Sequence, residues 1–372
     1  MRKPIAILLP NLVSGGAERV NVNLANELVR RGYAVDVVLL SATGEFLTEL
    51  APEIYVVDLR VKSIRWALPG LVRYLRYARP VVMLACMWPL TVVALWARKV
   101  ARLPIRMVVA EHTTWSQDEI ASTFFGKLKV RWSMNRSFPG ADSIVAVSHG
   151  AADDLARLAR LDRKAITVVY NPIVGENKPP ATLPMQPTEW WTGAHRRVLA
   201  VGTLKQIKDY ATLLRAFARL RQFVDARLLI LGEGVCRPML EELTRRLGIE
   251  TSVFMPGFAK DTSPYYCHAE LHVLSSTGEG LPTVIVEALS AGTPVVSTDC
   301  PSGPREILNG GQFGRLVPIG DAEALANAMR ESLATVHNSD VLKARAQEFT
   351  IDKAVDRYIE LFFPNGSGMQ AK

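Results

Sequence analysis

The chain has 372 residues, enough for two domains of ordinary size, and its hydrophobic content of 49% allows large buried cores. The formal net charge of +8 favours anionic partners. The four cysteines (Cys86, Cys236, Cys267 and Cys300) lie far apart and show no CxxC or metal-ligand spacing. They therefore indicate buried apolar thiols in a reduced compartment and not a metal motif.

The first residues form a short apolar run that is broken by Pro10. Because an amphipathic helix follows directly, we interpret this run as a first strand and not as a signal peptide. The most apolar segment, Val81 to Ala97, is about 17 residues long and contains Pro89. This favours a strand running into a buried helix over a membrane span.

Strand and helix patterns alternate along the first half. A strand at Ile5–Pro10 and a glycine loop at Gly15 and Gly16 lead into a helix at Ala17–Arg31 and a strand at Ala34–Leu40. Further strands are predicted at Tyr55–Leu59, Val81–Ala85, Arg106–Ala110, Ser143–Ser148 and Ile166–Tyr170.

The segment from Val174 to Arg197 contains four prolines and predicts a linker. The second half restarts with strands at Val198–Val201, Ala226–Leu231, Val253–Met255, His272–Ser276 and Pro294–Thr298. Helices are predicted at Asp209–Arg221, Arg237–Leu247, Ala322–Thr335 and Ala354–Phe363. We expect an N-terminal domain over 1–178, a linker over 179–196, a second domain over 197–350, and a C-terminal helix and tail over 351–372.

This alternation with short loops predicts two Rossmann-like α/β domains with doubly wound parallel sheets. The carboxyl ends of their strands, and so their ligand loops, are expected to face each other across a shared cleft. The last helix is expected to cross back to the first domain.

Glu279 and Glu287 flank a glycine loop that opens a helix, with seven residues between them. Pro282 suits the first helical turn, and Gly292 suits the helix end. Such a loop and helix N-terminus form an anion site, because unpaired backbone N–H groups and the helix dipole converge there. With two carboxylates to accept hydrogen bonds from hydroxyls, the pattern suits a nucleoside diphosphate-sugar. An ordinary turn with two solvated glutamates is the alternative.

Other candidate residues follow predicted strands. His112 would point into the cleft, with a structural histidine as the alternative, and His149 is a weaker case. Lys208 precedes the first helix of the second half, where a cation could hold a diphosphate leaving group or be simply solvated. Gly15-Gly16 and Gly232-Glu233-Gly234 do not match the GxGxxG fingerprint, so we interpret them as turns.

Ten Lys or Arg residues and no Asp or Glu lie between Arg60 and Arg106, interleaved with aromatic side chains. The pattern continues through Lys127, Lys129, Arg131 and Trp132. Docking on an anionic membrane requires such a surface, while nucleic-acid binding and a solvated helix face are the alternatives. The residues assigned to this membrane and acceptor patch are Arg65, Trp66, Arg73, Arg76 and Arg79.

An ordered set of motifs resembles the retaining glycosyltransferases of the GT4 family, which have the two-domain GT-B fold. The resemblance covers nearly the whole chain. Its motifs are GGAERV at Gly15–Val20, EH at Glu111–His112, VYNP at Val169–Pro172, the paired glutamates at Glu279–Glu287 and AGTPVVSTD at Ala291–Asp299.

The resemblance implies a role for each candidate residue. Glu279 is expected near the transferred sugar, Glu287 on the ribose hydroxyls and Lys208 on the phosphates. His112 is expected beside the sugar ring, and Gly16 would let the first domain close on the diphosphate. The remaining expected donor contacts are Gly280, Leu281, Pro282 and Thr283 on sugar and phosphate, and Gly257 and Phe258 near the nucleobase.

One position departs from the family. Thr203 is also among the expected donor-binding residues, at the position where a G-R-L-x-x-x-K pattern commonly supplies an Arg to the phosphates. Either Lys205 substitutes for that Arg, or diphosphate binding rests on Lys208 and the helix N-terminus.

The implied activity is transfer of a sugar from a nucleoside diphosphate-sugar to an acceptor hydroxyl, with retained configuration and no metal or other cofactor. UDP-hexose or UDP-N-acetylhexosamine is favoured as donor, and GDP-mannose is second. The expected acceptor is a lipid-linked glycan of surface polysaccharide or lipopolysaccharide assembly. This predicts a cytoplasmic protein, peripheral on the anionic inner face of the cytoplasmic membrane, without a nucleic-acid partner. A nucleotide-sugar epimerase and a non-catalytic basic scaffold are the alternatives.

Overall fold

A computed structural model describes residues 3–13, 15–61, 63–117, 123–175, 183 and 188–364. The chain divides into two compact units. The first comprises Met1–Gly175 together with Phe349–Lys372, and the second comprises Glu176–Glu348. Of the predicted linker, 179–196, residues 179–182 and 184–187 lie outside the described residues.

The first unit is built on a parallel sheet. Its strands are β1 (Ile5–Leu9), β2 (Val35–Leu39), β3 (Tyr55–Asp58), β4 (Val82–Cys86), β5 (Arg106–Glu111), β6 (Ser143–Ala146) and β7 (Ile166–Val168). Their spatial order is β3-β2-β1-β4-β5-β6-β7, and every pair is parallel. β1, β2 and β4 are buried along their whole length, as expected for parallel strands covered on both faces.

The helices of this unit are divided between the two faces of the sheet. They are α1 (Gly16–Arg30), α2 (Ala67–Ala78), α3 (Leu90–Ala101), α4 (Phe124–Ser137) and α5 (His149–Ala159). Crossovers between parallel strands are right-handed, so the reversal of strand order at β1 puts α1 on one face and α2 to α5 on the other. Accordingly α3 packs between α2 and α4, and α4 packs on α5.

The second unit repeats this architecture. Its strands are β8 (Arg196–Val201), β9 (Ala226–Leu231), β10 (Val253–Gly257), β11 (Leu271–Leu274), β12 (Val295–Thr298) and β13 (Arg315–Val317), in the spatial order β10-β9-β8-β11-β12-β13. Its helices are α6 (Thr188–Trp191), α7 (Tyr210–Leu220), α8 (Arg237–Arg246), α9 (Ser263–His268), α10 (Thr283–Ala291), α11 (Pro304–Ile307), α12 (Ala322–Ala334) and α13 (Ser339–Ala346). The prediction of two parallel α/β domains is confirmed.

The last helix, α14 (Ile351–Phe362), packs against α1 and β5 of the first unit, which confirms the predicted return. Val355, Tyr358 and Phe362 join the first core. The segment before it is held by backbone hydrogen bonds, including one from Ile173 N to Phe349 O at 3.1 Å. The helix begins three residues before the predicted start because the Thr350 side chain caps it.

Several predicted strand ends are wrong by two residues. The strands predicted to end at Ser148, Tyr170 and Ser276 end at Ala146, Val168 and Leu274. Ser148 and Ser276 leave the ladder because their hydroxyls make local hydrogen bonds, to the N-terminus of α5 and to Glu279 respectively.

The prediction of buried thiols holds for Cys86 and Cys300, whereas Cys267 is exposed at the end of α9. The apolar segment from Val81 to Ala97 forms β4 and most of α3. Within the described ranges, no helix has both the length and the apolar character that crossing a membrane requires.

We expect Phe362→Ala to destabilise the first unit by about 3–5 kcal/mol, because it removes a large buried side chain and leaves a cavity. Phe362 is 2% exposed. Urea unfolding followed by circular dichroism measures the change. Glu360→Ala, on an exposed position of the same helix, is the control and should change stability by less than about 0.5 kcal/mol. Equal stability of the two variants would contradict the packing of α14 on this core.

Candidate active site

In the second unit, loops of the candidate site lie at the carboxyl ends of the strands. β8 is followed by Gly202 and β9 by Gly232, both with positive φ. A Cβ atom on Gly232 would lie 2.1 Å from the carbonyl oxygen of Gly202, so only glycine allows the two loops to approach this closely. The backbones of the loops after β8 and β9 therefore lie in close contact at this edge of the sheet.

Lys208 and Glu279 are brought together at this edge. The Nζ atom of Lys208 lies 2.6 Å from Oε1 of Glu279, and their side chains are 22% and 11% exposed. The Ser276 hydroxyl donates a hydrogen bond to the same carboxylate oxygen at 2.6 Å. A carboxylate held by both a cation and a hydroxyl has a fixed position before any ligand binds.

The two loops that carry this pair are tied to each other by their backbones. Lys208 ends a short 3-10 turn, Gln206–Lys208, and its carbonyl accepts a hydrogen bond from the Ser275 hydroxyl at 2.8 Å. Thr277 N donates to the Ile207 carbonyl at 2.8 Å. The sequence predicts Ser275 and Ser276 as part of a strand. Their contacts with the loop that carries Lys208 were therefore not predicted.

The segment after β12 supports the loop between the two glutamates. Glu279 N donates to the Pro301 carbonyl at 2.9 Å, and Ser302 N donates to the Glu279 carbonyl at 2.9 Å. The Ser302 hydroxyl also donates to the Gly280 carbonyl at 3.1 Å. These contacts orient the peptide groups from Gly280 to Thr283, the backbone that was expected against sugar and phosphate.

This loop leads into α10, whose N-cap residue is Pro282. The prediction that Pro282 lies in the first helical turn is wrong by one residue, because its ψ of 103° is extended and the helix begins at Thr283. Among the described side chains, none caps this end of the helix. The first-turn N–H groups and the positive end of the helix dipole are therefore suited to an anion.

Glu287 lies in the second turn of α10, about one turn beyond the loop. The Thr262 hydroxyl donates a hydrogen bond to its Oε2 at 3.4 Å. Burial, and next the Glu287 carboxylate, raise the pKa of the fully buried Tyr266 well above its usual value. The carboxylate is thus bordered by two hydroxyl groups, in an environment suited to recognition of further hydroxyls.

Gly257 and Phe258 are expected near the nucleobase. Gly257 ends β10 and faces the Gly232-Glu233-Gly234 turn, and Phe258 is the next residue. A Cβ atom on Gly257 would lie 3.0 Å from Glu233 Oε1. Arg237 holds Glu233 through an ion pair of 2.5 Å and donates to the Met255 carbonyl at 2.9 Å. Phe258 is 43% exposed. No pattern in the sequence indicated that the Glu233–Arg237 pair borders this position.

Thr203, which stands at the family's Arg position, is half-buried, and its carbonyl accepts a hydrogen bond from Lys205 N at 2.8 Å. The Lys205 side chain is exposed. Lys208 is therefore the lysine of this loop that makes an ion pair with a site carboxylate.

In the first unit, the EH motif lies at the carboxyl end of β5. Glu111 is 2% exposed and accepts hydrogen bonds from the Thr91 hydroxyl at 3.0 Å and from Trp88 N at 3.2 Å. Burial lowers the pKa of His112 to about 4, and the neighbouring Asn171 side chain opposes part of that shift. His112 is therefore a neutral imidazole at pH 7. Asn171 belongs to the VYNP motif, so two motifs distant in sequence meet here.

Gly16 is the first residue of α1, and the N-cap residue Gly15 has extended backbone. A Cβ on Gly15 would lie 2.1 Å from the Glu18 carboxylate, so the turn is closely packed. His149 is exposed, and its Nδ1 lies 3.3 Å from Arg163 Nη2.

The predicted membrane and acceptor patch forms one exposed surface around α2. Arg65 and Trp66 lie on the turn before the helix, Arg73 and Arg76 on the helix, and Arg79 at its C-cap; all five are exposed. An open groove of about 670 Å³ runs beside them. Its lining residues are Leu68, Pro69, Val72, Arg73, Arg76, Tyr77 and Val100.

Within the described part of the chain, no group of three or more His, Cys, Asp and Glu side chains has the geometry to hold a metal ion.

Two family profiles match the chain in succession. The profile described as Glycosyltransferase Family 4 matches residues 14–175, and the profile described as Glycosyl transferases group 1 matches residues 195–335. The chain belongs to glycosyltransferase family 4. This confirms the resemblance inferred from the motifs and the predicted enzyme class.

Two curated relatives are each at least 33% identical to part of this chain. One is the N-acetylgalactosamine-N,N'-diacetylbacillosaminyl-diphospho-undecaprenol 4-alpha-N-acetylgalactosaminyltransferase of Campylobacter jejuni, which is 33% identical over 64% of this chain and 62% of its own length. Another is the lipopolysaccharide core biosynthesis glycosyltransferase LpsE of Rhizobium meliloti, 34% identical over 44% of this chain and 48% of its own length. The alignments thus span less than two thirds of either relative.

Solved structures share the fold over nearly the whole chain. The crystal structure of HepE from Anabaena in complex with UDP-glucose superposes with a TM-score of 0.79 at 20% identity, covering 96% of this chain and 98% of HepE. This similarity confirms the predicted GT-B fold.

We expect the stability of the second unit to fall as the pH is lowered from 7 to 5, in part through His272 on β11. Burial lowers the pKa of His272 to about 3, against about 6.5 in an unfolded chain. Between these values only the unfolded chain binds the proton, so stability rises with pH across this window. The His272 contribution to the loss at pH 5 is about 2 kcal/mol.

Urea titrations at both pH values measure this effect in the intact chain. His272→Leu should reduce the pH-dependent loss of stability by about 2 kcal/mol. His268→Leu, at an exposed histidine of the same unit, is the matched control and should reduce the loss by less than His272→Leu does. An undiminished loss in His272→Leu would contradict the assignment.

Proposed function

We propose that this chain transfers a sugar from a nucleoside diphosphate-sugar to an acceptor hydroxyl, with retention of anomeric configuration. The observation that carries the proposal is the Lys208–Glu279 pair, 2.6 Å apart, in the loops beside the N-terminus of α10, which no described side chain caps. A cation and a helix N-terminus suit a diphosphate, and a carboxylate suits the hydroxyls of a sugar.

The chemistry of the second unit fits stabilisation of a leaving group. As the bond to the anomeric carbon breaks, negative charge grows on the diphosphate, and Lys208 with the first-turn amides of α10 would stabilise it. Because Lys208 is paired with Glu279 in this structure, its ammonium would move from the carboxylate to a phosphate oxygen as the donor binds. Glu279 would then accept hydrogen bonds from the sugar, held in place by Ser276.

Glu287 would bind the ribose hydroxyls, and the base would lie near Gly257 and Phe258. UDP-hexose or UDP-N-acetylhexosamine is the favoured donor, and GDP-mannose is the second. The HepE structure, which is a complex with UDP-glucose, supports a uridine donor. His112 would be a neutral hydrogen-bonding partner beside the sugar ring, in keeping with its lowered pKa. The reaction proposed for this site uses no metal cofactor.

The proposed acceptor is a lipid-linked glycan of surface polysaccharide or lipopolysaccharide assembly, reached from the cytoplasm at the inner face of the membrane. The Campylobacter relative is named for a diphospho-undecaprenol substrate, and the Rhizobium relative for lipopolysaccharide core biosynthesis. The exposed cations and Trp66 around α2 fit a peripheral protein on an anionic bilayer.

We expect Lys208→Ala and Glu279→Ala each to lower the transfer rate about 10²–10³-fold, because each removes a charged group that acts on the reacting donor. Release of UDP in the presence of membrane-derived acceptor lipid measures the rate. Lys205→Ala is the matched control, an exposed lysine in the same loop, and should lose less than about threefold. Near wild-type turnover in both site variants would refute the proposal.

A comparable loss in Lys205→Ala would show instead that Lys205 takes the place of the family's Arg.

Binding of UDP should stabilise the wild-type chain, by about 2.7 kcal/mol at a concentration a hundred times its Kd. We expect Glu287→Ala to abolish most of this effect if the carboxylate binds the ribose. Thermal-shift titrations with UDP, GDP and ADP measure the selectivity for the base. Stabilisation by GDP alone would replace the uridine donor with a guanosine donor, and no response to any of the three would contradict the assigned donor site.

A further inference from the structure

The helix α4 exposes a stripe of large apolar side chains. Phe124 is 77% exposed, Phe125 81%, Leu128 50% and Trp132 68%. The two phenylalanine rings meet edge to face, with centroids 5.6 Å apart. Exposed apolar groups scattered singly are ordinary, whereas a contiguous apolar stripe marks an interaction surface.

The stripe is not the side by which α4 joins the fold. At about 100° per residue, its four members fall within roughly 100° of the helix circumference. The buried residues of the helix, Val130, Met134 and Ser137, lie on the opposite side. The helix therefore has one apolar side that packs in the protein and a second that faces outward.

Cations border the outward stripe on both sides. The helical spacing puts Lys127 and Arg131 along one margin, and Lys129 and Arg136 along the other. The helix contains no acidic residue, and neither do α2 and α3, which lie on the same face of the sheet. The apolar centre with a cationic border therefore belongs to a wider basic surface.

We propose that α4 is the membrane-inserting element of this chain, lying in the plane of an anionic bilayer with its outward stripe among the acyl chains. The cations along its margins would then lie at the level of the lipid phosphates. This inference rests on the proposed membrane acceptor and deepens it: α4 supplies apolar insertion, and the patch around α2 supplies electrostatic attraction.

Charge and shape favour a bilayer over other partners. A second copy of this face would set like charges against each other. A nucleic acid would pair with the cations but would leave most of the apolar stripe in water. An anionic bilayer satisfies both groups, because acyl chains take the apolar stripe and headgroups take the cations.

Flotation of the full chain with lipid vesicles tests the proposal. One vesicle type is phosphatidylcholine, and the other contains roughly 30% phosphatidylglycerol. We expect wild-type protein to bind the anionic vesicles, with part of the binding surviving about 1 M salt, where charge attraction is screened. The double substitution Phe124→Ser with Phe125→Ser should lower partitioning at least about 30-fold and remove the salt-resistant part.

Two control variants separate insertion from other effects. Phe223→Ser removes a phenylalanine that is 69% exposed in the second unit, and should leave vesicle binding unchanged. Replacement of Arg73, Arg76 and Arg79 by Gln should reduce the salt-sensitive part of binding and retain the salt-resistant part. Because Phe124 and Phe125 are exposed, their replacement should leave the melting temperature unchanged.

Wild-type vesicle binding by the Phe124/Phe125 double variant would overturn the proposal. Failure of the wild-type protein to bind either type of vesicle would also overturn it. Dimer formation or oligonucleotide binding through these phenylalanines would then identify the partner of the stripe. UDP stabilisation reports separately on the second unit and should be unchanged in the double variant. A chain that inserts in vesicles but fails to respond to nucleotides would retain this inference and lose the proposed transferase activity.

Discussion

A parallel sheet places the carboxyl ends of all its strands along one edge, and the candidate site depends on that constraint. In the second unit it brings the loop after β8, which carries Lys208, beside the loop after β11, which carries Glu279. β8 and β11 are neighbours in the sheet but not in the sequence, so the ion pair exists only because the strand order reverses between them. The close approach of the loops at Gly202 and Gly232 follows from the same geometry.

The Lys208–Glu279 pair links the fold to the proposed chemistry. Its partial burial strengthens the attraction and fixes the carboxylate, which the Ser276 hydroxyl also holds. The same pairing means that a donor must compete with Glu279 for the lysine. Binding and positioning would then be coupled, because the phosphate would take the cation while the released carboxylate turns to the sugar hydroxyls.

The first unit uses its two faces differently. α14 covers one face together with α1, and closes the first core with residues from the end of the chain. α2, α3 and α4 cover the other face and leave cationic and aromatic side chains exposed. With the proposed membrane-anchored acceptor, the first face would serve the fold and the second would be available to lipid.

The sequence by itself determined the two α/β domains, the alternation of their elements and the family, because hydrophobic periodicity and motif order are local properties of the chain. It also placed Glu279 and Glu287 around a helix start, and Gly292 at the end of that helix. Only the tertiary structure decided which residues meet: Lys208 with Glu279, His112 with Asn171, and Glu233 with Gly257. These contacts join loops that follow different strands, so no local pattern contains them. Hydrophobic periodicity does not reveal the outward stripe of α4, because the helix is apolar on two opposite sides. Only the solvent exposure of the side chains distinguishes the buried side from the exposed one.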